Sequence, residues 1–108
     1  MDLLGRVALV TGGSGDLGTA ICMALARAGC DVALTYVGNR DGAARTVEVV
    51  EQLGRRACAL PLDQTDPAAI DSTVSAAADA LGRLDVLVNN AAWNIGVPFP
   101  DLDKLTTD

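Results

Sequence analysis

The stretch RVALVTGGSGDLG, residues 6–18, joins an apolar run to a loop with four glycines and then to the start of a helical pattern. The apolar run has strand length, and after it Leu17, Ile21 and Leu25 lie at helical spacing, with Gly29 as the stop. A glycine-rich loop between a strand and a helix presents backbone N–H groups and the positive end of the helix dipole, which together bind anions. The stretch therefore predicts a phosphate-binding strand–loop–helix unit.

The same alternation continues along the rest of the chain. Nearly continuous apolar runs recur at residues 31–36, 56–62 and 85–90, as parallel strands covered by helices on both faces require. A weaker helical pattern covers residues 43–54, and another begins with Asp66 as N-cap and ends at Gly82. With right-handed crossovers, the sequence predicts an α/β fold: a Rossmann-type doubly wound parallel sheet, βαβαβαβ, with strand order 3-2-1-4, truncated after the fourth strand.

The composition limits the partners of the chain. Its 108 residues are about the modal size of one domain, the net charge is −6, and no stretch is rich in Lys or Arg, so we expect no nucleic-acid partner. No apolar run approaches the ~20 residues of a membrane span, and the first strand begins too early for a signal peptide. Cys22, Cys30 and Cys58 are widely spaced and histidine is absent, which favours core thiols over metal ligands. We therefore expect a cytoplasmic protein without a membrane partner.

The spacing of the glycines limits what the loop binds. A triphosphate-binding P-loop needs Lys followed by Ser or Thr after its last glycine, and this chain has Thr19-Ala20 there. Gly13, Gly15 and Gly18 instead fit the GxGxxG spacing of dinucleotide-binding loops. The strand before and the helix after favour this interpretation over ordinary turn glycines.

Motifs at the ends of the four predicted strands resemble those of a known family. TGGSGDLG follows the first strand, LDQTD the third, and DVLVNNAA closes the fourth, while TYVGNR ends the second. Together they resemble the short-chain dehydrogenases/reductases, especially members that reduce 3-oxoacyl thioesters. The resemblance implies that the glycine loop faces a pyrophosphate, that the acid after the third strand hydrogen-bonds adenine, and that the Asn-Asn-Ala segment lines the ribose side. The implied cofactor contacts are Gly12, Ser14, Gly15, Leu17, Gly18, Tyr36, Arg40, Asp63, Asn90, Ala91 and Ala92, with Asn89 beside them.

Two departures from the family pattern leave alternatives open. Ala92 stands where the family usually has glycine, and the common spacing TGxxxGxG would place a glycine at Asp16. Gly12, Gly15 and Gly18 comply instead with TGxxGxxG, which is typical of sugar-nucleotide epimerases. We follow the fourth-strand motif and keep an epimerase or dehydratase fragment as an alternative. For Asp63 and the asparagines, a turn cap and strand-end side chains are the structural alternatives.

Asp16 places a carboxylate inside a loop that is predicted to bind phosphate. An acid in the first turn of a helix gains ~0.3–1 kcal/mol from the helix dipole. A carboxylate ~4 Å from a phosphate charge loses ~1–4 kcal/mol. Since repulsion outweighs the dipole, we expect the side chain of Asp16 to point into solvent.

The end of the second strand bears on the choice of cofactor. Sites for NAD place an acid there, about 20 residues past the glycines, to bind the ribose 2′-OH. This chain has Thr35, Tyr36 and Val37 at that point. Arg40 either pairs with a 2′-phosphate or is a solvated loop arginine. The sequence therefore favours NADP, with NAD as the alternative.

The residues that would complete the chemistry are missing. The family donates a proton from a Tyr-x-x-x-Lys pair, which the sole tyrosine, Tyr36, and the sole lysine, Lys104, cannot form. We expect no catalytic residue here and interpret residues 1–90 as the dinucleotide-binding portion and 91–108 as a loop leading into a missing remainder. The resemblance implies that the intact parent is a homo-oligomer acting on a small carbonyl or alcohol substrate; a non-catalytic nucleotide-sensing module is the alternative.

Overall fold

The computed structural model describes residues 3–62 and 66–90, in which strands and helices alternate. The elements are β1 (Val7–Thr11), α1 (Asp16–Arg27), β2 (Asp31–Tyr36), α2 (Arg40–Gln52), β3 (Ala57–Pro61), α3 (Pro67–Leu81) and β4 (Val86–Asn89). All strand pairs are parallel, and the order across the sheet is β3-β2-β1-β4. The predicted fold class, element order and strand order are confirmed.

The side chains of the central strands divide the core into two clusters, one on each face of the sheet. Ala8 and Val10 of β1 pack with residues of α1 and α2, whereas Val7 and Leu9 pack with residues of α3. Burying a large apolar side chain stabilises the fold by about 1.5–3 kcal/mol. Because helices cover both faces, the strands need apolar residues at nearly every position, which is the pattern seen in the sequence.

Glycines end the helices at the predicted places. Gly29, Gly54 and Gly82 have φ values of 106°, 86° and 91°, a left-handed conformation that glycine adopts without a steric penalty. The start of α2 differs from the sequence pattern, since the helix begins at Arg40. The reason is Asn39, whose side-chain oxygen accepts a hydrogen bond from the N–H of Gly42 at 3.0 Å and caps the helix.

The cysteines belong to the core or pack against it, as predicted. Cys22 and Cys30 are buried and Cys58 is half-buried. Burial raises the pKa of Cys22 to about 12, so this thiol stays protonated at neutral pH. Within the described ranges, no group of acidic, histidine or cysteine side chains is arranged to hold a metal ion. The helices described there are all too short or too polar to cross a bilayer.

A charged cluster fixes the amino end of the sheet. Asp31, at the start of β2, is only 6% exposed, and its carboxylate accepts the backbone N–H of Arg56 at 2.9 Å and its Nε at 3.0 Å. Arg55 Nη2 lies 3.1 Å from the same carboxylate, and Arg56 also donates to the carbonyl of Leu81 at 2.9 Å. Burial acts to raise the pKa of Asp31, but the hydrogen bonds from Arg56 and the charges of both arginines hold it below its ordinary value.

The variant Asp31→Asn should be less stable than the wild type at neutral pH. We expect the free energy of unfolding to fall by about 1–2 kcal/mol. This lies toward the low end of the range for hydrogen bonds to charged groups, because water screens the arginines. The folded pKa of Asp31 is lowered, so its contribution is present above the unfolded pKa of about 3.9 and is lost as pH falls through the folded value. Urea unfolding at a series of pH values should show that the free energies of unfolding of the wild type and of Asp31→Asn converge in acid. A difference that is constant with pH would contradict this account.

Candidate functional site

The glycine loop, residues 12–15, leaves the carboxyl end of β1 and is fixed first to β2. Gly12 has a φ of 73°, a conformation suited to glycine. The N–H of Gly12 donates to Thr35 Oγ1 at 3.0 Å, and the N–H of Gly13 donates to the Thr35 carbonyl at 2.9 Å. The first two N–H groups of the loop are thus directed into the protein.

Three successive carbonyl oxygens of this segment accept hydrogen bonds from side chains. The pairs are Asn90 Nδ2 to Gly12 O at 3.0 Å, Thr46 Oγ1 to Gly13 O at 3.0 Å, and Asn39 Nδ2 to Ser14 O at 3.4 Å. The donors come from three different places: the end of β4, the second turn of α2 and the N-cap of α2. The negative ends of three peptide dipoles are therefore bound by the protein, which favours an anion next to the loop.

The N-terminus of α1 follows the glycine loop without a side-chain cap. Gly15 is the N-cap residue, with extended backbone, and no side chain in the described part of the chain accepts a hydrogen bond from the first turn. By contrast, Asn39 caps α2 and Asp66 caps α3. The first N–H groups of a helix have no partner within it, so those of α1 are available to a ligand. Together with the helix dipole they suit a phosphate group.

The glycines differ in what the packing around them requires. A Cβ at Gly18 would overlap the carbonyl oxygen of Gly12 and lie 2.7 Å from the Cα of Gly13, and one at Gly13 would lie 2.6 Å from the Cβ of Leu34. At Gly15, no described atom outside the residue and its two chain neighbours lies within 4 Å of the Cβ position. Gly13 and Gly18 therefore allow close packing of the loop, whereas Gly15 leaves open space in front of α1. A dinucleotide pyrophosphate, which must approach the backbone closely, fits this arrangement.

Asp16 lies in the first turn of α1 and is exposed, as the electrostatic argument requires. It lines a groove between α1 and α2 together with Thr19, Met23 and Arg45. A carboxylate in this position is screened by water. Leu17, the next residue along α1, is 60% exposed and stands at the same helix end.

Tyr36 and Arg40 line one open depression at the end of β2. Tyr36 is half-buried, and Arg40 is exposed. Arg40 is the first residue of α2, whereas the sequence pattern placed it in a loop, because the helix starts earlier than its apolar spacing indicates. A guanidinium at this helix end, next to the strand terminus, is within the region where a ribose substituent of a dinucleotide would lie.

The structure brings many of the predicted site residues into one hydrogen-bonded unit. Gly12, Ser14, Gly15, Gly18 and Asn90 belong to the glycine loop or contact it directly. The neighbouring Asn89 accepts a hydrogen bond from Thr11 Oγ1 at 2.9 Å. Three predicted positions lie outside the described residues: Asp63, Ala91 and Ala92.

Sequence reasoning missed the residues that hold the glycine loop from outside it. Thr35, Asn39 and Thr46 each bond its backbone, and none of them was a candidate. Asn39 carried a usable signal, since asparagine before a helical pattern is a common N-cap. The two threonines carried none, because neither a polar residue in an apolar strand nor one of several polar residues in a helix reveals its partner.

Comparison with known proteins gives a consistent family. The family model described as short chain dehydrogenase matches residues 6–108. A Bacillus subtilis protein named short-chain dehydrogenase/reductase homolog YusS is 35% identical over 108 residues, covering 100% of this chain and 99% of that protein. Hydroxynaphthalene reductase of Aspergillus fumigatus is 38% identical over 108 residues, covering 100% of this chain and 38% of that enzyme.

Solved structures share the fold. A short chain dehydrogenase from Burkholderia cenocepacia, crystallised in complex with NADP, superimposes with a TM-score of 0.79 and 47% sequence identity. The match covers 82% of this chain and 36% of the Burkholderia chain. The present chain therefore spans a little over a third of the length of this protein and of the Aspergillus reductase.

Proposed function

Since this chain belongs to the short-chain dehydrogenase family, we propose that it is the dinucleotide-binding portion of an oxidoreductase that transfers hydride between NADP and a small carbonyl or alcohol substrate. The observation that carries the proposal is the start of α1, which no described side chain caps and which follows a loop whose carbonyls are already bound. Such an end binds the phosphate groups of a dinucleotide. Family membership favours this function over the sugar-nucleotide epimerase alternative.

Each part of the site has a role in this proposal. The N–H groups of the first turn of α1 donate to the pyrophosphate, and Gly18 lets α1 lie against the loop. Asn90 ties the end of β4 to Gly12, so that the segment leading to the nicotinamide side starts from a fixed point. Asp63 is proposed to bind the adenine. When bound, the cofactor supplies or accepts the hydride, and the residues of this chain hold and orient it.

A saturable complex with NADPH is the primary test of this function. Titration of the purified chain, followed by the fluorescence of the nicotinamide, should show one site per chain. Gly18→Ala serves as the control, because its Cβ would displace the loop from α1. Identical titration curves for the two proteins, or no saturation in the wild type, would overturn the proposal.

Arg40 should distinguish NADPH from NADH. In Arg40→Ala, we expect the Kd for NADPH to rise about tenfold, since a hydrogen bond to a charged group contributes about 1.5–3 kcal/mol and an exposed arginine lies at the low end of that range. The Kd for NADH, which lacks the 2′-phosphate, should change less than about twofold. Arg45→Ala is a matched control that removes the same charge from the same helix but from the groove beside α1. Equal losses for the two cofactors, or a wild type that prefers NADH, would contradict the assignment.

A second candidate function is a nucleotide-binding module without turnover of its own. One observation favours it: the Bacillus subtilis homologue is matched over 99% of its length, so a relative of about this size exists. Both candidates bind a dinucleotide, and they differ in whether hydride transfer follows. Turnover assays on the chain alone and on any longer form of the protein separate them.

The proposal also covers the cellular location, the oligomeric state and the kind of partner of the protein. We assign it to the cytoplasm, where unpaired thiols such as those of Cys22 and Cys30 stay reduced. The parent oxidoreductase is proposed to be a homo-oligomer, by resemblance to its family. The net charge of −6 supports a small-molecule partner rather than nucleic acid.

A further inference from the structure

Thr46 is a buried hydroxyl at the junction of α1, α2 and the glycine loop. Its side chain lies on the second turn of α2, and the residue is 1% exposed. Its Oγ1 is 3.0 Å from the carbonyl oxygen of Gly13, 3.1 Å from that of Gly42 and 2.9 Å from Thr19 Oγ1. One side chain therefore links two helices to the backbone of the candidate phosphate site.

The Gly13 carbonyl depends on this hydroxyl more than the Gly42 carbonyl does. A threonine hydroxyl has a single proton to donate. The Gly42 carbonyl lies four residues before Thr46 in a regular helix, so it already accepts the backbone N–H of Thr46. The Gly13 carbonyl belongs to the loop and has no helical partner. Removing the hydroxyl would leave this buried acceptor unbound.

We propose that Thr46 is a positioning residue for the pyrophosphate, holding the Gly13 carbonyl against α2 and away from the bound anion. The peptide between Gly13 and Ser14 is trans, so its N–H points opposite to its carbonyl. Rotation of this peptide would turn an acceptor toward the anion in place of a donor. The inference rests on the proposed function, because it concerns the same phosphate-binding loop.

The close approach of α2 to the loop supports this role. A Cβ at Gly42 would lie 2.8 Å from the Ser14 carbonyl oxygen and 2.7 Å from Asn39 Cγ, so only glycine allows the helix to come this near. Asn39 uses its side-chain oxygen to cap Gly42, which leaves its Nδ2 for the Ser14 carbonyl. The first turns of α2 thus bind two successive carbonyls of the loop.

The test compares a ligand that has a pyrophosphate with one that has none. ADP and adenosine are titrated by calorimetry into the full chain with Thr46, Thr46→Val or Thr46→Ser. Valine keeps the shape of threonine without a donor, whereas serine keeps the donor. We expect Thr46→Val to raise the Kd for ADP at least tenfold, because the apparent Kd rises when the binding-competent conformation of the loop is less populated. For Thr46→Ser, the Kd for ADP should stay within threefold of the wild-type value. The Kd for adenosine should stay within twofold of the wild-type value in both variants.

Each alternative result overturns the inference. The inference is wrong if the Kd of Thr46→Val for ADP lies within twofold of the wild-type value. It is also wrong if the Kd values for ADP and adenosine rise equally, because Thr46 would then have a merely structural role. If the valine variant does not fold, Thr46→Ala removes the same donor without crowding and is compared with Thr46→Ser. A wild type that binds neither ADP nor NADPH overturns the proposed function as well; a wild type that binds both, with Thr46→Val unchanged, overturns this inference alone.

Discussion

Replacing Gly18 by alanine is expected to destroy dinucleotide binding and to lower the free energy of unfolding by about 1–3 kcal/mol, the range for overpacked sites. The added Cβ would overlap the carbonyl oxygen of Gly12 and crowd the Cα of Gly13. Both are backbone atoms that cannot rotate away, so α1 must move from the loop. Displacing α1 would remove hydrogen bonds from its first turn to the pyrophosphate, and each such bond to a charged group contributes about 1.5–3 kcal/mol. The loss of two of them would raise the Kd for NADPH by at least about a hundredfold.

Gly15→Ala is the matched control within the same motif. Apart from Gly15 and its two chain neighbours, no described atom lies within 4 Å of its Cβ position, and its φ of −92° is open to any residue. Its free energy of unfolding should stay within about 0.5 kcal/mol of the wild type. Urea unfolding of the two variants provides the comparison. If alanine is equally destabilising at both positions, the packing explanation for Gly18 is wrong.

The 108-residue chain alone is expected to show no measurable hydride transfer, even when it binds NADPH. Its only tyrosine, Tyr36, lies at the end of β2, and its only lysine, Lys104, is far along the sequence, so the two cannot form the family's proton-donating pair. Without a positioned acid, the alkoxide takes its proton from water, and the reaction forfeits about 10²–10⁴-fold in rate.

The measurement is oxidation of NADPH that depends on added ketones or aldehydes, over a broad panel. The preparation must be free of host reductases, which the variants Gly18→Ala and Asn90→Ala control for. Activity that persists in both variants comes from a contaminant. Activity that is present in the wild type and lost in both would refute the expectation and would require a proton donor elsewhere in the chain.

Local rules made the fold predictable from the sequence. The strands are apolar at nearly every position, which indicated a sheet covered on both faces. The glycines after the helices, such as Gly29 and Gly82, adopt the left-handed conformation that their position in the pattern indicated. Strand order followed from the handedness of the crossovers rather than from any single residue.

The support of the site could not be predicted in the same way. Thr35 and Thr46 bond the glycine loop across 23 and 33 residues of sequence, and no periodicity encodes such pairs. The glycine motif also does not reveal which of its glycines are sterically required. Backbone contacts exclude a side chain at Gly18 but not at Gly15. Spacing identifies which residues gather at the end of a strand, but packing decides which of them tolerate a side chain.

The start of α1, which no described side chain caps, leads us to expect that the lifetime of the protein depends on the ligand proposed for this site. A phosphate that accepts these N–H groups binds the folded chain and has no such site on the unfolded one. Ligand at a hundredfold excess over its Kd adds ~2.7 kcal/mol to the stability of a fold. That increment is a large part of the ~5–15 kcal/mol that holds a typical domain together. When the dinucleotide is scarce, more of the protein is unfolded at any moment and open to proteases, so its abundance in the cell would follow the supply of the molecule it binds.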